Sequence, residues 1–221
     1  MTKIAIPTPL EIERLSELDG KRYELHQGQL VDKTVAMGAP VAPTPLEVAL
    51  PSKDDERLYE LKLGQLVEKK TSMLSNAVAA EIVCALRTVY SNTKAHLFVK
   101  QPSWCFNDPN EMRRPDVALL WTNRFPDGLN DSELQLAPDL VVEVVSPTNT
   151  FGSVDERIAE FLDAGVPLIW VVNPTRRHVF VHRRDGSVAK YRQSDTIMDE
   201  PLLPGLAVAV AAFFPHVPAA T

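Results

Sequence analysis

Asp116 and Glu143 are the two residues in this chain whose type and surroundings could do chemistry. Glu143 lies inside Leu140-Val141-Val142-Glu143-Val144-Val145-Ser146-Pro147, an apolar run that reads as a strand buried on both faces. An ionised carboxylate placed there costs several kcal/mol unless it is paired, hydrogen-bonded or bound to a metal. Asp116 follows Arg113-Arg114-Pro115 and opens a second apolar run, Val117-Ala118-Leu119-Leu120-Trp121. Two acids on neighbouring strands of a hydrophobic sheet suit a divalent cation. With Mg²⁺, such acids hold the metal against a scissile phosphate and its attacking water. The Val144 backbone carbonyl is a candidate third ligand, because the strand fixes its direction beside Glu143. A nearby cation usually orients the water and stabilises charge on the phosphate.

Each candidate has a plainer reading. Glu143 could be a buried acid paired with Arg114 or Arg157, but an apolar strand offers no other reason for an acid, so the metal reading leads. Asp116 could simply start a strand and bond the turn after Pro115; on the residues alone the two readings are close. Asp139 has the parity of Glu143 but reads as an acid at the start of a strand. Glu81, at the margin of a helical stripe, reads as a solvated face. His26, His96, His178, His182 and His216 show no ligand spacing, and Met73, Trp104, Phe161 and Trp170 read as core.

The elements that must position these acids follow from periodicity. Leu74, Val78, Ile82, Leu86 and Tyr90, with Ala79 and Val83, form a helical stripe over 71–90. Strands are expected at His96–Lys100, around Trp104–Phe106, after Asp116 and through Glu143. Phe125 to Leu136 reads as a loop. Ser153-Val154-Asp155-Glu156 matches a capping box and predicts a helix from there to Gly165. Leu168–Val172 is the next buried strand, and the unit from Leu140 to Val172 predicts a parallel strand–helix–strand crossover. His178–His182 and Val188–Tyr191 form a hairpin closed near Gly186.

The first third is duplicated. Pro7-Thr8-Pro9-Leu10-Glu11 recurs at Pro43–Glu47, and Tyr23–Lys33 recurs at Tyr59–Lys69 with the same spacing. Each copy reads as a short helix followed by a hairpin, with Val35–Pro45 as linker. The expected organisation is residues 1–70 as duplicated units packed on a core of 71–221, one compact domain overall.

The 221 residues, 45% hydrophobic and 24% charged, are ordinary for a globular protein. No apolar run approaches the roughly 20 residues of a membrane helix, and the start lacks signal-peptide features. Cys84 and Cys105 suggest neither a metal nor a disulfide framework, so a reducing, cytoplasmic setting is the expectation. A net charge of −6 argues against a protein that coats nucleic acid through bulk electrostatics, though not against a local basic lip. Lys69-Lys70, Arg113-Arg114, Arg176-Arg177 and Arg183-Arg184 are candidates for one; each pair taken alone reads better as a solvated strand end or turn.

Pro115-Asp116 followed by Glu143-Val144-Val145 resembles the PD-(D/E)XK nuclease pattern, and the chain as a whole resembles the Uma-type restriction endonuclease family. The resemblance rests on Arg22–Leu25 with Gly28–Val31, on Arg114–Ala118, on Ala137–Pro147, on Ala164–Val166, on Trp170–Pro174 and on Leu203–Leu206. It implies an α/β, restriction-endonuclease-like mixed sheet flanked by helices, and a site using Mg²⁺, or Mn²⁺, on Asp116 and Glu143. The sequence departs from the pattern in three places. Val145 stands where the superfamily carries lysine, and the position from which this family supplies one is Arg157. Ser75 is nearest to a helix-opening histidine, and the N-terminal unit is doubled.

Arg157 precedes Ile158 and lies one turn before Phe161, so its stem can follow the apolar seam with its head at the sheet edge. Always charged, it can bind phosphate but cannot shuttle a proton. The expectation is therefore a Mg²⁺-dependent DNA endonuclease, RNA remaining open, with Asp116, Glu143 and Arg157 catalytic and Asp116, Glu143 and Val144 binding metal. The alternative is a weakened or inactive nuclease fold acting as a binding or regulatory module. A homodimer is expected by analogy with nucleases that pair two sites to cut two strands.

Overall fold

Alternation along the strands decides how the main sheet is covered. The computed structural model describes residues 57–215, apart from 104, 107, 109, 126–128, 130–133 and 147–148, together with two short strands, β1 (Tyr23–His26) and β2 (Gln29–Asp32). The chain divides into two compact units, Met1–Pro43 and Thr44–Thr221. In the first, β1 and β2 form an antiparallel hairpin, Tyr23 opposite Asp32. The helices expected at each Thr-Pro-Leu-Glu, and the Val35–Pro45 linker, lie outside the described residues.

In the second unit a hairpin of β3 (Tyr59–Lys62) and β4 (Gln65–Glu68) is followed by α1 (Met73–Val89). A six-stranded sheet is then built from β5 (Ala95–Val99), β6 (Val117–Trp121), β7 (Leu140–Val144), β8 (Leu168–Asn173), β9 (His178–Arg183) and β10 (Val188–Arg192). Its spatial order is the chain order, and every neighbouring pair is antiparallel except β7 and β8. Those two are joined by α2 (Phe151–Asp163), the crossover that a parallel pair requires. A small ribbon of β11 (Thr196–Met198) and β12 (Ala207–Ala209) completes the fold.

One set of alternate residues, Val117, Leu119, Leu140, Val142, Leu168 and Trp170, packs under Val78, Ile82 and Leu86 of α1. The opposite set, Val141, Ile169 and Val171, packs under Phe161 of α2. Truncating a fully buried side chain such as Phe161 to alanine would cost about 3–5 kcal/mol. This two-sided burial is why β7 and β8 read as continuous apolar runs. Asp116 and Glu143 share the parity of the α2 face, so both carboxylates lie on that side of the sheet.

Three expectations change. The helix expected to start at Ser153 is capped earlier by Thr150, whose hydroxyl accepts the Ser153 N–H (3.1 Å), while the Ser153 hydroxyl accepts the Thr150 N–H (3.1 Å). Both four-residue stretches fit a capping box; the Ser146–Asn149 turn, with Ser146 N–H donating to Asn149 Oδ1 at 2.7 Å, decides the register. Cys105 and Phe106 are not strand: the extended pairing is one residue earlier, at Ser103, which bridges Arg113 and Leu134. Met73, read as core, is 91% exposed at the start of α1, whereas the hairpin near Gly186 forms as expected, with Gly186 at φ +84°.

Candidate active site

The site is assembled by the second hairpin folding against the segment before β6. Leu63 and Gly64, at φ +50° and +75°, make the tight turn that matches the strand twist. The Gly64 N–H donates to the Asn110 carbonyl (3.0 Å), and Leu61 and Met112 exchange backbone bonds of 2.9 Å in both directions. Glu60 Oε1 accepts the Arg114 N–H at 2.8 Å. The hairpin is thereby fixed, and its exit carries Lys69 into the sheet.

Asp116 and Glu143 meet there. Asp116 Oδ2 accepts the Val144 N–H at 2.8 Å, which locks its carboxyl across the strand edge. Its other oxygen, Oδ1, lies 3.1 Å from Lys69 Nζ, and Glu143 Oε2 lies 3.4 Å from the same nitrogen. Lys69 also donates to the Arg114 carbonyl, and its side chain is only 8% exposed. On the other side of Glu143, Arg157 Nη1 is 3.4 Å from Oε1. The main engagement of Arg157 is a fork onto Glu60, with contacts of 2.8 and 2.5 Å. Three carboxylates against two cations leave one formal negative charge in this buried cluster.

Electrostatics follow from that arrangement. Burial pushes the Glu143 carboxyl up to about 7, and Lys69 and Arg157 only partly offset it. Burial alone would lower the Lys69 ammonium, but Glu143 and Asp116 outweigh it and hold Lys69 above the usual lysine value. Burial would likewise raise Glu60, yet the Arg157 fork keeps it below the usual carboxylate range. The cluster faces a cleft of about 360 Å³ lined also by Ser75, Lys70 and Asn149.

The donor set suits a hard divalent ion. Asp116 Oδ1 and Glu143 Oε2 converge on one point that already accommodates a cation, the Lys69 ammonium, and Glu143 retains an undercompensated charge. The Val144 N–H faces Asp116, and in an extended strand the carbonyl of a residue points to the same edge as its N–H. Among the described residues no group of three or more His, Cys, Asp and Glu side chains gathers as a metal site, so protein ligation would rest on two carboxylates, with backbone and water supplying the rest.

Asp116, Glu143, Val144 and Arg157 are therefore brought together. Other candidates are not: Glu81 is exposed on α1, and Asp139 accepts the Trp121 N–H (2.9 Å) and pairs with Arg124 (3.1 Å). Ser75 serves as a helix cap, donating to the Ser72 carbonyl at 2.9 Å, while lining the cleft. The cations found at Glu143 are Arg157 and Lys69; Arg114 instead reaches the Tyr59 and Lys100 carbonyls. Lys69 and Glu60 are the two members that sequence reasoning missed. Their signals were present, in the Lys69-Lys70 pair and in the second Tyr-Glu-Leu copy.

A six-stranded mixed sheet with one parallel pair, flanked by helices and carrying two acids on adjacent strands, defines a nuclease fold. The chain belongs to the Uma2 family, described as "Putative restriction endonuclease", whose model matches residues 46–211. The match begins after the first repeat copy, so Tyr59–Glu68 rather than Arg22–Val31 carries the family's hairpin. The fold is also similar to the crystal structure of a putative nuclease belonging to DUF820 from Anabaena variabilis ATCC 29413. That likeness has a TM-score of 0.64 and 21% identity, and covers 75% of this chain and 93% of the other. No protein with curated annotation matches this chain. No helix among the described residues is long and apolar enough to cross a membrane.

Proposed function

We propose that this chain is a Mg²⁺-dependent endonuclease that hydrolyses phosphodiester bonds in DNA, with Mn²⁺ as an alternative ion. The observation that carries the reading is the convergence of Asp116 Oδ1 and Glu143 Oε2 on one cation position, 3.1 and 3.4 Å away, at the wall of an open cleft. Asp116 and Glu143 would hold the ion, with the Val144 carbonyl beside them. A metal there would supply a water of lowered pKa and a Lewis acid for a phosphate oxygen. The Val144 N–H keeps Asp116 oriented, so little reorganisation is needed when a cation exchanges. Lys69, moved off the shared point, keeps its ammonium beside the reacting phosphate, where its N–H groups can orient water and offset charge. Arg157 has the same electrostatic use but is committed to Glu60, and as an arginine it transfers no proton.

One observation favours the second reading, a binding module without chemistry. Lys69 already occupies the point between the two acids that a metal would need. The two readings separate on supercoiled plasmid DNA incubated with Mg²⁺ or with EDTA. Metal-dependent nicking by the wild type, reduced about a thousandfold or more in Glu143→Gln and Asp116→Asn, is the expected result. No nicking by the wild type with either Mg²⁺ or Mn²⁺ would hand the site to the binding reading. By analogy with nucleases that pair two sites to cut two strands, the proposed working form is a homodimer; a gel-filtration mass of one chain would remove that part.

A further inference from the structure

A second cleft, of about 980 Å³, opens at the β9–β10 end of the sheet, and its lining is cationic: Arg176, Arg177, His178, Lys190 and Arg192. Its charge runs against the chain as a whole, whose net charge is −6. Arg176, Lys190 and Arg192 are exposed, and none of them forms an ion pair among the described residues. The Arg177 guanidinium lies 5.0 Å over the Phe214 ring, and its buried Nε has no hydrogen-bond partner. The neighbouring acid, Asp195, is turned to the Arg192 N–H (2.6 Å) and the Ser194 hydroxyl (3.3 Å). His178 is held below the usual histidine value by burial and then by Lys190 and Arg176, as expected where positive potential accumulates.

Sheet register ties this cleft to the acids. Glu143 is opposite Val171, Val171 opposite Phe180, and Phe180 opposite Lys190, so one cross-strand row leads from the metal-binding acid to the basic edge. The next row outward on the same face, two residues along, holds Asn173, His178 and Arg192. Three strand spacings of about 4.8 Å put the two about 14 Å apart along one end of the sheet. That is roughly four base-pair steps of 3.4 Å. α2 covers Val171 between them, so a ligand touching both must be long and stiff and must present repeated negative charge.

We propose that the Arg176–Lys190–Arg192 cleft is a docking site for the sugar–phosphate backbone of duplex DNA, about four base pairs from the bond at the acidic site. The proposal rests on the nucleic-acid reading of Asp116 and Glu143 and adds to it the track that positions the duplex. The cleft supplies affinity and register rather than base readout, because Arg176, Lys190 and Arg192 are exposed and no ion pair among the described residues orients them toward a base edge.

The test is fluorescence anisotropy of a labelled 20-base-pair duplex with the full chain in EDTA, where nothing can be cut, across a series of salt concentrations. Arg176→Ala/Arg192→Ala should bind at least about tenfold more weakly at low salt, with the slope of log K against log[salt] shallower by about 2. Arg184→Ala, an exposed arginine past the far end of β9, should leave both values unchanged. An unchanged affinity and slope in the double variant would overturn the proposal, as would sedimentation with phosphatidylserine vesicles in place of DNA binding. Failure of the two readings is distinguishable. A wild type that binds in EDTA but never nicks with metal defeats the nuclease and leaves the cleft standing. A wild type that nicks, with a double variant that holds DNA as tightly, defeats the cleft alone. All three arginines are outside the core, and an unchanged Tm confirms that the variants are folded.

Discussion

Two buried clusters of acids and cations share three pieces of chain, the second hairpin, the segment 111–116 and α2, and the second cluster adds β7. In one, the Arg113 fork meets Glu160 at 2.8 Å through both Nε and Nη2, lies 2.6 Å from Glu111, and donates to the Leu61 carbonyl. In the other, one helical turn earlier on α2, Arg157 spends its fork on Glu60, and Glu143 is left with two contacts of 3.4 Å. The first is a clamp in which Arg113 and Glu160 meet fork to fork, while Glu111 Oε2 is paired with Arg113 by charge alone and makes no hydrogen bond. The second leaves one carboxylate underserved beside a cleft. A buried charge alone therefore does not mark a site; a buried carboxylate held only by long contacts at the wall of a cleft does.

The sharpest way to break that contrast is to remove the clamp. Arg113→Ala leaves Glu111 without its cation and Glu160 with only Lys62, 3.9 Å away, and should lower unfolding stability by about 3 kcal/mol, the low end for a buried pair because Glu160 keeps some solvent. Urea or thermal melts measure the loss. Nicking per folded molecule, assayed well below the new Tm, should stay within about twofold of wild type. If a folded Arg113→Ala chain loses nicking as Glu143→Gln does, the two clusters are one functional unit and the contrast is wrong.

How far these differences were visible in sequence depends on how local their causes are. β7, β8 and α1 were legible because double-sided burial writes itself as apolar runs and a helical stripe. Glu143 was legible for the converse reason, as an acid inside an apolar strand, whereas Asp116 was not separable on its residues alone from an acid that starts a strand, and the family resemblance singled it out. Lys69 and Glu60 were not, because their role comes from a hairpin that crosses to Met112 and Arg114, a pairing no local pattern encodes. Thr150 was missed because its cap competes with an equally good one at Ser153, and a turn settles the choice. The basic cleft was half visible: Arg176-Arg177 stood out as a pair, but Lys190 and Arg192 join it only through the register of β9 and β10.

Lys69 sharpens the comparison by a smaller amount. Lys69→Met leaves Asp116 and Glu143 facing one another with no cation at the shared point. It should cost less in EDTA than a broken buried pair, about 3–5 kcal/mol, because Glu143, already raised to about 7, takes up a proton in place of the cation. A divalent ion should then bind without having to displace the ammonium, so Mg²⁺ at a hundred times its Kd returns about 2.7 kcal/mol, more than it adds to the wild type under the same conditions. Melts with and without Mg²⁺ read this directly, independently of any nicking. A variant that gains no more from Mg²⁺ than wild type would show that the two carboxylates do not form a metal site.

The finest distinction is a pH slope. In the unfolded chain Glu143 ionises near 4.5, whereas in the folded protein burial moves it to about 7. Between those values the folded state holds a proton that the unfolded state has released, so this group's contribution is complete below the lower value and is lost as pH rises through the upper one. The loss cannot exceed about 1.4 kcal/mol per pH unit. It should appear as wild-type stability falling from pH 5 to pH 7 relative to Glu143→Gln, in which position 143 no longer titrates. Arg113→Ala should keep the slope, because Arg113 makes no contact with Glu143. Saturating Mg²⁺ should suppress it by displacing the proton, since a metal-bound carboxylate must be ionised. Parallel stability profiles for wild type and Glu143→Gln without metal would mean that Lys69 and Arg157 fully compensate Glu143, and the two clusters would then be alike.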